Sequence, residues 1–380
     1  MNLRLYRTGI MAVSIMLVIH FAMPGILRYT EQKSRFTGYF ENNFRFGESV
    51  DRTALDAFIY HIKSSDGYKI VFIGDSVVAG ATVKNNADTI PASFNRYADD
   101  VFPDKDINVY NLGIPGNRPS DIRFTLRKLQ ENHAADFIIM NVNYAFYSDE
   151  MFKELPIARP ELYDDVMDQG SALRLGLKFN RTEHFLKKAA AASWHLYGLR
   201  EELAFFLFGM NPREKLPRYQ DGHIEIPRPD VKLASPVNPG SNPDRVWSEN
   251  KPFSSDKIEH WKQVFNIGEL DAANTGYYFL KKMVSDISSG KIPTAVFFTP
   301  INQGMLKELD LMEHGSKFVK NMKKMESEFS TAGIPVLDYT YSIDTALFND
   351  LFHMIAPGND RLAKILFHDV EDILAGEVGG

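Results

Sequence analysis

Residues 69 to 80 read KIVFIGDSVVAG, and this stretch decides the fold prediction. The apolar run at residues 70–73 is bounded by polar residues and glycine, which is typical of a strand buried on both faces of a parallel sheet. Gly74 permits a sharp turn after that strand. Ser76 then stands where a following helix needs a hydroxyl to cap its first N–H groups. The serine is therefore either a helix cap or an exposed nucleophile.

Strand and helix patterns alternate along the rest of the chain. We predict further strands at residues 107–112, 136–142, 294–300 and 334–340, and helices at residues 47–63, 119–133, 304–329 and 359–374. Strands that alternate with helices form a parallel sheet covered on both faces. We therefore predict an α/β, flavodoxin-like three-layer sandwich with a mostly parallel five-stranded sheet in the order 2-1-3-4-5.

The alternation stops between residues 150 and 265. Residues 173–209 are aromatic-rich with a helical pattern, and residues 210–253 hold eight of the chain's nineteen prolines. We interpret residues 150–265 as an insertion into one α/β domain that spans residues 36–380. Its aromatic residues are expected to form core packing or, alternatively, a membrane or partner face. Its proline-rich part is expected to be an ordered lid or docking loop or, alternatively, a flexible loop.

An apolar segment precedes the domain. Residues 9–27, GIMAVSIMLVIHFAMPGIL, follow two arginines and are long enough to cross a bilayer as one helix. No clear small-residue cleavage site follows, so a retained anchor in residues 1–35 is favoured over a cleaved signal peptide. The short N-terminal tail is expected to stay cytoplasmic, which makes the rest of the chain extracytoplasmic, periplasmic or on the cell surface.

Composition argues against several functional classes. The formal net charge of -6 argues against nucleic-acid binding, which needs a basic face. The chain has no cysteine, so it has no disulfides, thiolate zinc sites or cysteine nucleophiles. It also lacks a P-loop, a dinucleotide fingerprint, a Gly-x-Ser-x-Gly motif and a metal-ligand cluster. We therefore predict neither a cofactor nor a metal.

Residues suited to acyl transfer follow the predicted strands. Ser76 follows the first strand, Gly116 lies in a glycine-rich turn after the second, and Asn143 follows the third. Asp350 and His353 stand just before the last helix. Ligands of open parallel sheets bind beyond the carboxyl ends of the strands, so these residues are expected at one edge. We predict Ser76 as nucleophile, His353 as its base and Asp350 as the group that orients the base.

Catalysis of this kind also needs donors for the developing oxyanion. The predicted donors are the Ser76 N–H, the Gly116 N–H and the Asn143 amide. Two structural alternatives remain beside the helix-cap reading of Ser76. Asn143 is alternatively a strand-end residue that bonds the local backbone. Asp350 is alternatively the cap of a turn, in which case Asp75 would orient the histidine.

These residues resemble the motifs of the SGNH, or GDSL, hydrolase family. Three blocks match the family pattern, namely Gly-Asp-Ser at residues 74–76, Asn-x-x-x-x-Gly at residues 111–116 and Asp-x-x-His at residues 350–353. A fourth block, Gly-x-Asn-Asp, is matched only in part at residues 141–144, which keep the oxyanion asparagine and lose the flanking Gly and Asp. The resemblance covers the sheet but not the insertion.

With its N-terminal segment, its insertion and the TPIN turn at residues 299–302, the chain looks most like one subgroup of this family. That subgroup comprises membrane-anchored extracytoplasmic proteins that act with membrane-bound O-acyltransferases, of the teichoic-acid D-alanylation and alginate O-acetylation type. The resemblance implies a serine esterase or O-acyltransferase that acts on acyl groups of a cell-surface or exported polysaccharide through an acyl-Ser76 intermediate. The alternative is a non-catalytic scaffold that docks a membrane-bound O-acyltransferase.

Overall fold

A five-stranded parallel sheet forms the centre of the fold. Its strands are β1 (Tyr68–Gly74), β2 (Ile107–Gly113), β3 (Phe137–Val142), β4 (Thr294–Phe298) and β5 (Val336–Asp338). They are hydrogen-bonded in the order β2-β1-β3-β4-β5, and every pairing is parallel. The predicted α/β fold and strand order are confirmed. All residues of β3 and β4 are buried, as expected for central strands with both faces covered.

This computed structural model describes residues 40, 44–47, 50, 52–148, 157–180, 182, 186, 189, 218–220, 223–225, 245–251, 253–265, 267–311 and 315–378. The predicted anchor in residues 1–35 lies outside these residues, as does most of the aromatic-rich and proline-rich sequence. Within the described ranges, no helix combines the length and hydropathy needed to cross a bilayer.

The helices are α1 (Arg52–Ser64), α2 (Ser76–Ala79), α3 (Ile90–Val101), α4 (Pro119–Asn132), α5 (Gln169–Arg174), α6 (Ser255–Phe265), α7 (Thr275–Ser289), α8 (Gln303–Glu308), α9 (Gly315–Thr331) and α10 (Ala356–Val378). The chain runs from β1 through α3 to β2 in one direction along the sheet, and from β2 through α4 to β3 in the other. Because parallel crossovers are right-handed, α3 and α4 cover opposite faces of the sheet.

Aromatic side chains join the helices to the sheet and to each other. Phe94 of α3 packs edge-on against Phe72 of β1 and Phe367 of α10, at centroid distances of 5.2 and 5.3 Å. Phe124 of α4 packs against Phe279 of α7 at 6.0 Å. Layers of α3 with α10 and of α4 with α7 therefore enclose the sheet as a three-layer sandwich.

The structure corrects the prediction of one helix over residues 304–329. Two helices, α8 and α9, occupy this range. Asp310 follows α8 with φ of 54°, a left-handed conformation that a continuing helix does not allow. Helices α3, α6 and α7 were not predicted, although Thr89 and Asn274 cap α3 and α7 with side-chain oxygens.

The chain divides into two compact units. The larger unit comprises Asn42–Val50, Ile62–Leu177 and Leu233–Gly380, and it contains the sheet and every predicted site residue. The smaller unit comprises Met1–Glu41, Asp51–His61 and Lys178–Lys232. Within the smaller unit, Arg218–Gln220 and His223–Glu225 pair as a short antiparallel hairpin. Both described flanks of the predicted insertion, residues 157–177 and 245–265, belong to the larger unit.

Candidate active site

Ser76, His353 and Asp350 form a hydrogen-bonded chain at the carboxyl edge of the sheet. Ser76 Oγ lies 2.8 Å from His353 Nε2. His353 Nδ1 lies 2.9 Å from Asp350 Oδ2 and 3.1 Å from Asp350 Oδ1. The side chains of His353 and Asp350 are each 23% exposed, so the hydrogen bonds between them are largely shielded from water. Ser76 is half-buried and stays accessible. The structure thus brings the three predicted residues together in the arrangement that activates a serine.

The end of β1 fixes the position of Ser76. The strand ends at Gly74, and Ser76 is the first residue of the four-residue helix α2. A Cβ at Gly74 would lie only 2.0 Å from Asn141 Oδ1, so no other residue fits there. At the other end of α2, Gly80 has φ of 71° and closes the helix in the left-handed region. The short helix therefore projects Ser76 from its first turn.

A tight turn fixes His353 relative to Asp350. Asp350 Oδ1 accepts hydrogen bonds from the N–H groups of Phe352 and His353, at 2.9 and 2.8 Å. This cap turns the chain so that the ring of His353 comes back to the same carboxylate. Asp350 therefore caps the turn, as one alternative proposed, and also orients the base. The three-residue spacing of the motif makes both bonds possible.

Asp350 and His353 shift each other's pKa. Burial alone would raise the pKa of Asp350, but His353 and the hydrogen bonds from His353 and Phe352 outweigh it and lower the pKa to about 2. Burial alone would lower the pKa of His353, but Asp350 and, less strongly, Asp75 raise it above its ordinary value of 6.5. Asp350 is therefore a carboxylate at neutral pH, and His353 is a strengthened base.

The turn after β2 carries the second predicted oxyanion donor. Gly116 is exposed and has φ of 80°, a conformation that favours glycine. The Ile114 N–H and the Asn117 Nδ2 both donate to the carbonyl oxygen of Gly74, at 3.1 and 3.2 Å. These bonds attach the turn to the end of β1, two residues before Ser76. In the described part of the chain, neither the Ser76 N–H nor the Gly116 N–H donates to another protein group.

Asn143 lies at the carboxyl end of β3, but its amide already has a partner. Nδ2 donates to Asp75 Oδ2 at 2.9 Å, and Oδ1 accepts from the Ala145 N–H at 3.1 Å. Asn143 therefore bonds the local backbone, as the alternative proposed, and its role as an oxyanion donor stays a prediction. Its second amide hydrogen has no acceptor within the described ranges.

Asp75 does not orient His353. Its side chain is fully buried, and Oδ1 accepts from the Val77 N–H at 2.8 Å and from Asn141 Nδ2 at 3.0 Å. Asp75 instead caps α2 and joins the end of β1 to the end of β3. Since Asp350 holds Nδ1 of His353, the alternative that assigns this role to Asp75 is wrong.

Sequence reasoning missed residues that hold the loop of Asp350 and His353. Asn302 Nδ2 donates to the carbonyl oxygen of Asp350 at 3.2 Å, and Thr82 Oγ1 donates to that of Met354 at 2.8 Å. Asn302 is also the cap of α8, through its bond from the Met305 N–H. The TPIN turn that contains Asn302 offered a local signal, whereas nothing in the sequence around Thr82 indicates its distant partner.

The described residues contain no group of three or more histidine, aspartate or glutamate side chains that could hold a metal ion. A chain of serine, histidine and aspartate with adjacent backbone donors is itself sufficient for acyl transfer. The arrangement can deprotonate a hydroxyl, form a covalent ester and stabilise a tetrahedral oxyanion.

Comparison with solved structures found several hydrolases. A lipase/acylhydrolase from Enterococcus faecalis has 12% sequence identity, a TM-score of 0.37 and coverage of 80% of this chain and 96% of that chain. The acetylxylan esterase Axe2 from Geobacillus stearothermophilus has 11% identity, a TM-score of 0.37 and coverage of 81% and 96%. LAE5, an α/β hydrolase from the metagenome of Lake Arreo in Spain, has 11% identity, a TM-score of 0.36 and coverage of 82% and 98%.

A scan against protein-family models and a search of curated protein sequences each found no match. Because the TM-scores and identities of the structural neighbours are low, these likenesses carry no argument about function.

Proposed function

We propose that the protein is a serine ester hydrolase of the SGNH type that carries its acyl group on Ser76. The observation that carries this proposal is the 2.8 Å contact between Ser76 Oγ and His353 Nε2, continued to Asp350 at 2.9 Å. A serine that only caps a helix does not require this contact, since a capping oxygen serves backbone N–H groups.

The proposed reaction has two halves. In the first, His353 Nε2 takes the proton of Ser76 Oγ while the oxygen attacks the carbonyl carbon of an ester. The oxyanion that forms accepts from the Ser76 and Gly116 N–H groups. The tetrahedral intermediate then expels the alcohol, which takes the proton from His353, and an acyl-Ser76 ester remains. Asp350 stabilises the imidazolium in both transfers.

In the second half, a hydroxyl attacks the acyl-enzyme by the same steps in reverse. If the hydroxyl belongs to water, the protein is an esterase, and if it belongs to a sugar, the protein is an O-acyltransferase. We propose that the acyl groups belong to a cell-surface or exported polysaccharide and that a membrane-bound O-acyltransferase is the partner. The support for this finer assignment is the resemblance of the N-terminal apolar segment, the insertion and the TPIN turn at residues 299–302 to the membrane-anchored subgroup.

We further propose an extracytoplasmic location with a single-pass membrane anchor. The support is the apolar run at residues 9–27, which is long enough for one transmembrane helix and follows a short basic tail. Substrates attached to the cell surface or exported from the cell are accessible from that side of the membrane.

The esterase proposal is tested by following the release of p-nitrophenol from a series of p-nitrophenyl esters, starting with the acetate. The full-length protein is compared in detergent with the variants Ser76→Ala and His353→Ala. Each variant is expected to lose about 10³-fold or more of kcat/KM, because nucleophile and base act as one unit. Matched controls are Ser288→Ala and His368→Ala, which change exposed residues on α7 and α10. Activity that survives in both site variants would overturn the proposal.

Transfer and hydrolysis are separated by a second assay. An acetyl donor ester is mixed with a deacetylated oligosaccharide, and mass spectrometry measures the acetylated sugar against free acetate. A sugar product that depends on Ser76 identifies an acyltransferase, and acetate alone identifies an esterase. If acetate is the sole product, the protein is a hydrolase and the proposed transfer to a sugar is wrong.

A further inference from the structure

We propose that Arg159 is a positioning residue, supplied by a flank of the insertion, that aims the Gly116 N–H at the oxyanion. This inference rests on the function proposed above. Arg159 Nη2 donates to the carbonyl oxygen of Pro115 at 2.9 Å, and Nη1 donates to Asn117 Oδ1 at 3.4 Å. The guanidinium thus contacts the residues on both sides of Gly116 in the turn of residues 114–117, here called the oxyanion turn.

Planarity of the peptide bond gives the first of these bonds its effect. The carbonyl group of Pro115 and the N–H group of Gly116 belong to the same peptide unit, and in a trans peptide they point in opposite directions. An arginine that fixes the direction of the carbonyl therefore fixes the direction of the N–H. Donation to the carbonyl also polarises the peptide unit, which strengthens its N–H as a donor.

The oxyanion turn needs such support because glycine is flexible. Gly116 has φ of 80° and is exposed, and a Cβ placed on it would meet nothing closer than Arg159 Nη2 at 4.0 Å. Packing around Gly116 therefore does not hold the peptide. On the sheet side, Asn117 Nδ2 donates to Gly74, so Asn117 links Arg159 to the strand that leads to Ser76.

Arg159 is itself held by a buried carboxylate. Asp121, which is fully buried in the first turn of α4, accepts from the N–H groups of Ala158 and Arg159 at 2.9 and 3.2 Å. It also accepts from the Arg118 N–H at 3.0 Å, on the chain that leaves the oxyanion turn. Asp121 therefore joins the insertion flank and the oxyanion turn through one side chain.

Ion pairs further along the flank keep it against α4. Arg123 pairs with Asp168 at 2.8 Å, and Lys128 pairs with Asp165 at 2.9 Å. Both cationic side chains are almost completely buried. The backbone that carries Arg159 is therefore attached to α4 at Asp121 and again, further along the chain, at Asp165 and Asp168, which is what a positioning residue requires.

The test compares Arg159→Gln and Arg159→Lys with wild type, all as full-length protein. Arg174→Gln is the matched control, because Arg174 lies on the same flank and donates to a backbone carbonyl, that of Ala272 at 3.1 Å, in another loop. Misaiming one oxyanion donor is expected to lower kcat of Arg159→Gln by about 10- to 100-fold, with KM within about twofold of wild type. Lysine offers no planar pair of donors, so Arg159→Lys should recover only part of the rate.

Binding of a transition-state mimic provides the readout that distinguishes positioning from a general structural role. A trifluoromethyl ketone forms a tetrahedral oxyanion adduct with serine, and its Ki should rise in Arg159→Gln by the same factor as kcat/KM falls. The Ki of the matching amide, which forms no adduct, should not change. Unchanged kcat and unchanged ketone Ki in a folded Arg159→Gln variant would overturn the inference. An effect on KM alone would also overturn it, because Arg159 would then be a substrate-binding residue.

Amide hydrogen exchange tests the same inference without any turnover. The peptide that contains residues 114–117 should exchange faster in Arg159→Gln than in wild type or Arg174→Gln. Equal exchange would contradict the inference. A wild type that is folded but inactive on every ester would overturn the proposed function instead, and the exchange measurement would still decide whether Arg159 holds the oxyanion turn.

Discussion

Ser76 directly follows the end of β1, a strand whose residues 70–73 are fully buried. Asp350 and His353, in contrast, lie in the loop between β5 and α10, outside the sheet. The first region is held by regular strand pairing and by a cap. β1 pairs with β2 and β3 on both sides, and Asp75 caps α2 from the adjacent position. The nucleophile is therefore placed by residues near it in the sequence and by the regular sheet.

The loop of the base is held by residues from distant parts of the chain. Asn302 and Thr82 hold the backbone on either side of His353, as described above. The second flank of the insertion also contributes, because the Trp247 N–H donates to the carbonyl oxygen of Phe348 at 2.8 Å. Together with Arg159 at the oxyanion turn, this bond means that both flanks of the insertion support catalytic loops. The base is therefore held by side chains and loops outside the sheet, whereas the nucleophile is held by the sheet itself.

The largest expected effect comes from the loop region. Asp350→Asn removes the charge that stabilises the imidazolium and the acceptor that orients Nδ1 of His353. We expect kcat to fall by about 10²- to 10⁴-fold, as the loss of the orienting group in such a triad implies. Steady-state kinetics measure the change, and circular dichroism checks that the variant is folded. A fall of less than tenfold in a folded variant would show that Asp350 is not needed to orient the base.

The same variant should change the pH profile. Asp350 raises the pKa of His353, with a smaller contribution from Asp75 and opposition from burial and Lys257. Only the neutral imidazole accepts the serine proton, so kcat/KM of wild type should fall as the pH drops through a pKa above 6.5. Loss of the Asp350 charge lowers this pKa, and the acidic limb of Asp350→Asn should move to lower pH. An unmoved limb would contradict the assignment.

In the strand-end region we expect a loss of stability. Asp75→Ala leaves the buried donors of Val77, Asn141 and Asn143 without their acceptor. We expect the free energy of unfolding in urea to fall by about 2–4 kcal/mol, because buried unsatisfied polar groups are costly. Asp256→Ala, at an exposed acid in α6, is the control. Equal stability of the two variants would mean that Asp75 does not hold the strand ends together.

A smaller effect is expected where the two regions meet. Thr82 follows α2, and its hydroxyl donates to the carbonyl oxygen of Met354, next to His353. Thr82→Val keeps the shape of the side chain and removes this bond. We expect a loss of about 1 kcal/mol of stability, typical of one buried hydrogen bond, and a few-fold fall in kcat. A change in stability without any change in kcat would show that the loop of the base keeps its position without Thr82.

The smallest effect is expected far from both regions. Lys320 and Glu269 form an ion pair at 2.9 Å with side chains that are 65% and 64% exposed. Exposed pairs contribute little to stability because water screens them. Lys320→Ala should therefore leave Tm and kcat unchanged within experimental error. A measurable fall in kcat would mean that the surface of α9 communicates with the site.

Local sequence patterns predicted the parts of the structure that local structure holds. The buried run before Gly74 and the alternation of strands with helices were enough to predict a parallel sheet. The position of Asp350 and His353 just before the last helix, together with the polar residues at the other strand ends, indicated the base. The contact between Asn143 and Asp75 was not predictable, because it joins side chains 68 residues apart on neighbouring strands. Arg159 was missed because its partners in the oxyanion turn are also distant in the sequence. It lies, in addition, in an insertion without strand-helix alternation.

The proposed chemistry depends on Ser76 as the nucleophile. The most direct measurement is peptide mapping by mass spectrometry after the full-length protein reacts with a fluorophosphonate. We expect one adduct, on Ser76, with labelling much slower in His353→Ala and absent in Ser76→Ala. An adduct on another serine, or none on a folded protein that hydrolyses esters, would contradict the claim.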